Sequence, residues 1–348
     1  MEDESWMKLI LINQGHFISS SLKALVKLKV PDILNKAAPS LLSPVEICDQ
    51  LPLRSKATLD SSASQLGRLM RALAMFGVFQ ECPSSEGEQR YGLNAVSKHL
   101  VTEGNSESMV PSMMFFPKQY NVWDLLPDAI LEGVQPGSKA HAGKSVFELD
   151  PAIVTVFNTV MSAYTRRTMR LALQVYDGFQ HAKVIVDVGG SLGASLEIIL
   201  AKYPNVKGIN FDLPVVVEHA AKVQGMENVG GDMFVSVPQG DLMLLKWVLH
   251  DWSDEKAIKI LENCRKSLAE GGKVVVIDAL LPEVAEKSEE YSLADKNAVL
   301  YDLAMLTTGE AAKERTYKEL EQVAMAAGFS SLSVRARVDS ASIIEVYP

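Results

Sequence analysis

The residues that could do chemistry are a glycine turn after an apolar run, acids at or beyond strand ends, and one histidine beside them. Val184-Ile-Val-Asp-Val-Gly-Gly-Ser-Leu-Gly193 reads as a buried parallel strand entering a tight turn, with a helix over 194–201. Gly208-Ile-Asn-Phe-Asp212 reads as the next strand, ending on an acid. Together they form a βαβ unit suited to a nucleoside. The glycines let backbone N–H groups come close, and the Asp212 carboxylate can accept both ribose hydroxyls. The dinucleotide pattern G-x-G-x-x-G is absent, which disfavours a pyrophosphate cradle. A nucleoside without phosphates, such as S-adenosylmethionine, fits the turn better. Asp232, after Gly230-Gly231, is placed to hydrogen-bond the adenine, and Met233 to pack on its ring.

The segment Leu244-Leu245-Lys246-Trp247-Val248-Leu249-His250-Asp251-Trp252 brings His250 to another strand end. The other histidines, His16, His99, His141, His181 and His219, fall in helical or loop contexts. A histidine beside a nucleoside site reads as a general base. Asp254 and Glu255 read as the cap and first turn of a helix, where negative charge is favoured, and not as metal ligands.

These residues need a sheet to hold them. Strands are expected near 184–188, 208–212, 242–246, 273–278, 332–337 and 341–346, with helices such as 254–268 and 317–327 between them. The alternation predicts a doubly wound, mostly parallel α/β sheet. The last two strands, around Asp339-Ser340, read as a hairpin that adds an antiparallel strand at the edge. Ahead of the sheet, residues 104–180 read as mostly helical. Residues 1–103 read as a mainly helical, winged-helix-like domain, and 104–348 as the second domain. A helix over 64–75 is followed by Gly77 and a hairpin at 78–81 and 90–93, and Ser43-Pro44-Val45-Glu46 reads as a helix start. A DNA-binding wing needs a basic face, and 64–75 offers only Arg68 and Arg71. Packing or dimerisation is the better reading. Residues 6–28 carry more apolar surface than one domain requires, with Gly15 as a break.

Composition narrows the class. With 348 residues, 47% hydrophobic and 22% charged, the chain can bury an ordinary core. A net charge of −9 without basic clusters excludes non-specific nucleic-acid binding. Cys48, Cys82 and Cys264 are too scattered for a disulfide framework or a zinc site. The acidic start and the lack of a long apolar run point to a cytoplasmic protein without a membrane span.

VDVGGxxG, KGINFDLP, GGDMF, KWxxHDWSDE and Ala312-Lys313-Glu314-Arg315-Thr316, in this order, resemble the plant O-methyltransferases of the caffeic acid and flavonoid type. The resemblance runs over nearly the whole chain. It implies a Rossmann-like methyltransferase sheet, S-adenosylmethionine as donor, a phenolic acceptor, no metal and a homodimer. It implies a donor site of Gly189, Asp212, Leu213, Asp232, Met233 and Lys246. It implies His250 as base, with Asp278 and Glu314 orienting it. The acceptor pocket would include Phe116, Phe157, Met161, Trp247, Asp251 and Met305, with Met114 and Phe115 as further lining candidates. Ser191 stands where the family has a third glycine, and Asp278 where many caffeate-type members have Glu. Tyr164, Tyr301 and Ala304 occupy pocket positions that differ from those members, and the loop 283–295 is longer and more charged.

The implied reaction is in-line displacement at a sulfonium methyl by a phenolic oxygen. From ordinary values, near 10 for phenol and 6.5 for histidine, proton transfer to the base is uphill by about 5 kcal/mol. Holding donor and acceptor in line can contribute about 7–11 kcal/mol, so positioning outweighs the proton transfer. The alternatives are an N-methyltransferase of the same fold, a winged-helix ligand-sensing regulator, and an NAD(P)-dependent oxidoreductase, which the missing dinucleotide pattern disfavours.

Overall fold

The computed structural model describes residues 2–85, 87–115, 120–143, 151–283, 291–308 and 311–348. The chain forms two compact units, Met1–Pro117 and Lys118–Pro348.

In the first unit, helices Glu2–Asn13 and Gly15–Lys27 are separated at Gln14. Ser43 caps helix Pro44–Cys48 through a capping box: its side chain accepts from the Glu46 N–H, and the Glu46 carboxylate accepts from the Ser43 N–H. Helix Leu59–Met75 starts five residues before the expected 64, because a one-turn 3₁₀ segment Lys56–Thr58 leads into it. Gly77, at φ 75°, turns the chain into an antiparallel hairpin, β1 Phe79–Pro83 with β2 Gln89–Leu93. Leu25, Leu34, Ile47, Leu66, Met70, Leu73, Phe79 and Tyr91 form the core of this unit. Met114, expected to line a pocket, packs on that core. Trp6, Leu9, Ile12 and Phe17 remain more than half exposed, which is the apolar surplus the sequence shows.

The second unit is built on β3 Val184–Val188, β4 Lys207–Asp212, β5 Met226–Gly230, β6 Gly240–Lys246, β7 Leu268–Leu281, β8 Arg315–Thr316, β9 Ser331–Val338 and β10 Ala341–Tyr347. The sheet order is β5-β4-β3-β6-β7-β10-β9, with β8 pairing β7. β3, β4, β5, β6 and β7 run parallel, so their carboxyl ends share one edge. The order reverses beside β3, the switch point at which open α/β sheets bind ligands. Apolar cores fill both faces: Val186, Met243, Leu245, Val274 and Val276 point to one, Ile185, Leu242, Leu244, Val275 and Ile277 to the other.

Two features differ from the sequence reading. β5 is a strand where none is expected. Glu227 and Asn228 break its apolar pattern, which an edge strand with mostly half-exposed side chains tolerates. The terminal hairpin does form, but its antiparallel strand is not at the edge. β10 inserts between β7 and β9, antiparallel to both, and β9 takes the edge. β10 is buried at Ala341–Val346, as an internal position demands, whereas β9 exposes Arg335 and Val334.

Candidate active site

The turn after β3 is shaped by its backbone. Gly189 and Gly193 take φ 72° and 84°, and Ser191 takes 52° between them. A Cβ on Gly190 would lie 2.2 Å from Asn210 Oδ1, so any side chain there would displace Asn210. The N–H groups of Gly189 and Gly190 both reach the Phe211 carbonyl, at 2.8 and 3.2 Å. Ser191 donates its N–H to Asp212 Oδ2 at 2.8 Å, and Leu213 donates to Oδ1 at 2.7 Å. Ser191 thus supplies the N–H that glycine would, at the cost of a left-handed backbone for a residue with a Cβ. Each Asp212 oxygen has further lone pairs for a ligand. Burial raises the Asp212 carboxyl above its ordinary range, against the two N–H bonds that favour the anion. Asn210, on β4, ties the turn down by donating to the Ser191 carbonyl and to Asn228 Oδ1.

Beyond β5, Asp232 is exposed and caps its own turn by accepting from the Phe234 N–H at 2.8 Å. Met233 is half-buried against the sheet core, held by Asn263, which donates to its carbonyl. Lys246 ends β6 and is buried. Burial pulls its ammonium below the ordinary range, opposed by Asp187, Asp278 and Asp251. Asp187, buried within β3, is held up by burial, against the same lysine. Lys246 therefore stands electrostatically between the glycine turn and the histidine cluster.

His250 lies in the 3₁₀ turn Leu249–Asp251 that follows β6. Its Nδ1 is 2.7 Å from Glu314 Oε1, and both side chains are buried. That bond leaves Nε2 as the nitrogen open to a substrate. Asp251 Oδ1 is 3.7 Å from Nε2, too far for a hydrogen bond but close enough to act by charge. Asp278, near the end of β7, acts on His250 through its field. Burial alone would lower the imidazole's affinity for a proton. The charges of Glu314, Asp251 and Asp278 outweigh it and raise His250 to about 10. Asp278 is pushed up to about 7, by burial first and by Glu314 and Asp251, against His250 and Arg315. Asp251 reaches about 6 by burial, against His250 and with Glu314. The expectation of an uphill transfer is thereby revised. The carboxylates make His250 a stronger base than an ordinary imidazole, which lowers the cost of taking a phenolic proton.

Trp247 carries a left-handed backbone, φ 55°, and its ring lies 5.3 Å from that of His250 and edge-on to Tyr301 at 5.4 Å. Strained backbone of this kind gathers at functional sites. Phe157 and Met161 sit on helix Pro151–Val175, half-buried, and Met305 ends helix Leu293–Met305, buried. The structure brings Trp247, Asp251, Asp278 and Glu314 around His250. Phe157, Met161 and Met305 are placed only by the helices that carry them. Phe116 and positions 284–290 of the charged loop lie outside the described residues.

Among the described residues, buried side-chain atoms without a hydrogen-bond partner include Asp187 Oδ2, Asn210 Oδ1, Trp247 Nε1, Asp278 Oδ1 and Glu314 Oε2. They belong to residues on or just after β3, β4, β6 and β7, or to the β8 segment beside β7. Buried orphans are rare and costly in folded proteins, and five of the seven among the described residues lie here, the other two being Gln135 Oε1 and His141 Nε2, which fits a ligand site. No metal-binding group of His, Cys, Asp or Glu occurs among the described residues.

Residues 123–330 match the O-methyltransferase domain family, and residues 11–103 match the O-methyltransferase dimerisation domain. The chain belongs to the O-methyltransferase family. Caffeic acid 3-O-methyltransferase of Ammi majus is 38% identical, over 99% of this chain and 95% of that protein. Myricetin 3-O-methyltransferase 3 of Solanum habrochaites is 39% identical, over 99% of this chain and 96% of that protein. The crystal structure of human N-acetylserotonin methyltransferase in complex with SAM superposes with a TM-score of 0.80 at 24% identity, covering 99% of this chain and 97% of that one, which shows a shared fold.

Within this O-methyltransferase, sequence reasoning missed Asn210 as the tie of the glycine turn and Arg315 as a buried partner of the histidine loop. Both are polar residues inside runs already singled out, and their types alone signal a buried hydrogen-bonding task. Glu314→Gln tests the charge effect. Removing the anion on Nδ1 lowers the histidine's proton affinity, so the rising limb of log kcat/KM against pH should move to lower pH. The maximal rate should fall about 10-fold or more, as a positioned base loses its partner. A limb that stays in place shows that Glu314 does not tune the base.

Proposed function

We propose that this O-methyltransferase moves the methyl group of S-adenosylmethionine to a phenolic hydroxyl of a flavonoid or phenylpropanoid, with His250 as general base. The observation that carries the reading is the buried His250–Glu314 pair at 2.7 Å, opening Nε2 at the carboxyl edge of the strands that hold the Asp212 turn.

The residues present fit the donor: Asp212 closes the glycine turn with lone pairs to spare, and Asp187 Oδ2 and Asn210 Oδ1 are buried without a partner beside Gly190. Gly189, Asp212, Leu213, Asp232, Met233 and Lys246 would hold it. Bound there, S-adenosylmethionine supplies an electrophilic sulfonium methyl. Asp212 would accept the ribose hydroxyls, and Met233 would pack on the adenine. His250 Nε2 takes the phenolic proton. Glu314 fixes the ring and balances the imidazolium charge on Nδ1, while Asp251 and Asp278 stabilise that charge from farther away. Trp247, with Tyr301 edge-on to it, would wall the acceptor, and Phe157, Met161 and Met305 would add an apolar and aromatic lining.

Residues 1–103 act as the dimerisation domain and residues 104–348 carry the reaction. The exposed Trp6, Leu9, Ile12 and Phe17 support a homodimer as the active form. Cys48, Cys82 and Cys264 are free thiols, which supports a reducing, cytoplasmic location. Among the described residues no helix is long and apolar enough to cross a membrane.

A neutral flavonoid ranks ahead of a cinnamic acid. Arg166 and Arg167, on the helix that carries Phe157 and Met161, are already engaged by Glu197 and Asp339, so neither is offered to an acceptor carboxylate. The test is competition between a vicinal-dihydroxy flavone and caffeate at equal concentration with limiting enzyme, read as transfer of labelled methyl. The flavone should lead. A tenfold lead for caffeate reverses the ranking, and no methylation of any phenol in the panel removes the hydroxyl-acceptor reading.

A further inference from the structure

We propose that Arg315 is a positioning residue for the base, a guanidinium clamp that fixes the turn bearing His250 and Asp251 against the strand that presents Glu314; this rests on His250 being the base. Arg315 is 4% exposed and opens β8 directly after Glu314. Its Nη1 donates to the Leu249 carbonyl at 2.7 Å and its Nη2 to the Trp252 carbonyl at 2.8 Å. These two carbonyls bracket His250 and Asp251 on either side. Its Nε donates to Asp254 Oδ1 at 2.9 Å, at the start of the helix that follows the turn. One planar fork thus holds three points of a six-residue segment, 249–254. The neighbouring N–H of Lys313 adds a fourth tie, to the His250 carbonyl at 2.9 Å. On the other side, Arg315 pairs with Leu280 of β7, and the N–H of Glu314 is held by Asp302 Oδ1 at 2.9 Å.

The histidine and its carboxylate come from segments 64 residues apart and must meet at 2.7 Å. Glu314 cannot secure that meeting by itself, because its one bond to the ring has no control over the turn's backbone. A 3₁₀ turn of three residues has few internal hydrogen bonds to hold it. Arg315 supplies what the turn lacks. Arginine suits the task because its donors lie in a rigid plane, so fixing one carbonyl orients the other. Lysine keeps the charge but has no such fork.

The test is Arg315→Lys, which separates placement from charge, alongside Asp254→Asn, which loosens the clamp from its outer end. A shift of the turn by about 1 Å can cost on the order of 100-fold in rate. For Arg315→Lys, kcat should fall about 10- to 100-fold, with KM for the phenol and the dissociation constant of S-adenosylhomocysteine nearly unchanged. The rising pH limb should also move down toward the ordinary histidine value, about 6.5, as the ring drifts from Glu314. Asp254→Asn should show the same pattern, weaker. Thermal unfolding is followed for both variants, so that a folding defect is read separately from the limb, which a merely structural role would not move. A wild-type limb and kcat in Arg315→Lys overturn the clamp, as does a loss carried wholly by donor affinity. If His250→Gln itself retains turnover, the base assignment falls and not the clamp alone.

Discussion

Replacing His250 with glutamine should remove most of the methyl transfer while leaving donor affinity nearly intact. Glutamine is close in size and can donate its amide N–H to Glu314, so the buried carboxylate is not left without its bond. What disappears is a group that accepts a proton at Nε2. General base catalysis contributes about 10²–10⁴-fold, and the loss in turnover on a neutral phenol at pH 7 should fall in that range. Donor binding, read by calorimetry with S-adenosylhomocysteine, should hold because Asp212 and the glycine turn are untouched. The remaining rate should rise with pH toward the phenol's own ionisation, near 10, since hydroxide then does the work of the base. In the ligand-free protein the carboxylates around wild-type His250 raise its proton affinity to about 10. Its base form therefore grows as pH rises through that value, and the wild-type limb should be alkaline. A mutant keeping more than about a tenth of the wild-type rate at pH 7 would rule out the base role, given the range above.

The glycine turn and its Asp212 were legible because they are local. An apolar strand, a turn of small residues and an acid at the next strand end are contiguous in sequence, and each element has its own signal. The acceptor half was not. Glu314 meets His250 only because β6 and β8 both pair with β7, a relation no single segment encodes. The family resemblance supplied Glu314 and Asp278 where periodicity could not. β5 escaped because an exposed edge need not alternate. The position of β10 escaped because hairpin strands look alike until one is buried between two neighbours. The proton affinity of His250 was invisible for a different reason. Three carboxylates from separate elements act on it together, opposed by burial, and the ordinary histidine value reflects none of these influences.

Asp212→Ala should cost donor affinity more than any other single change at this edge. The carboxylate has one task the structure shows and one proposed for it. Its Oδ2 and Oδ1 accept the N–H groups of Ser191 and Leu213, and its remaining lone pairs are left to accept ribose hydroxyls. Each hydrogen bond to a charged group contributes about 1.5–3 kcal/mol, so losing two to the ligand predicts a fall of about 10²-fold or more. The backbone loss adds to this. Ser191 is held at φ 52° partly by its bond to Asp212, and without it the turn can relax toward a less strained backbone. Asp212→Asn separates the two tasks, since an amide keeps one acceptor oxygen and the side chain's shape but no charge. It should lie between wild type and alanine. Burial raises the Asp212 carboxyl, so protonation sets in at a higher pH than for a free aspartate, and wild-type affinity should fall first on that side as pH is lowered. Calorimetry with S-adenosylmethionine and S-adenosylhomocysteine reads all three proteins, and NAD, which should not bind any of them, is the control. Unchanged donor affinity in Asp212→Ala would sink the assignment of this edge to the donor, and with it the route by which His250 and the sulfonium methyl come to face one another.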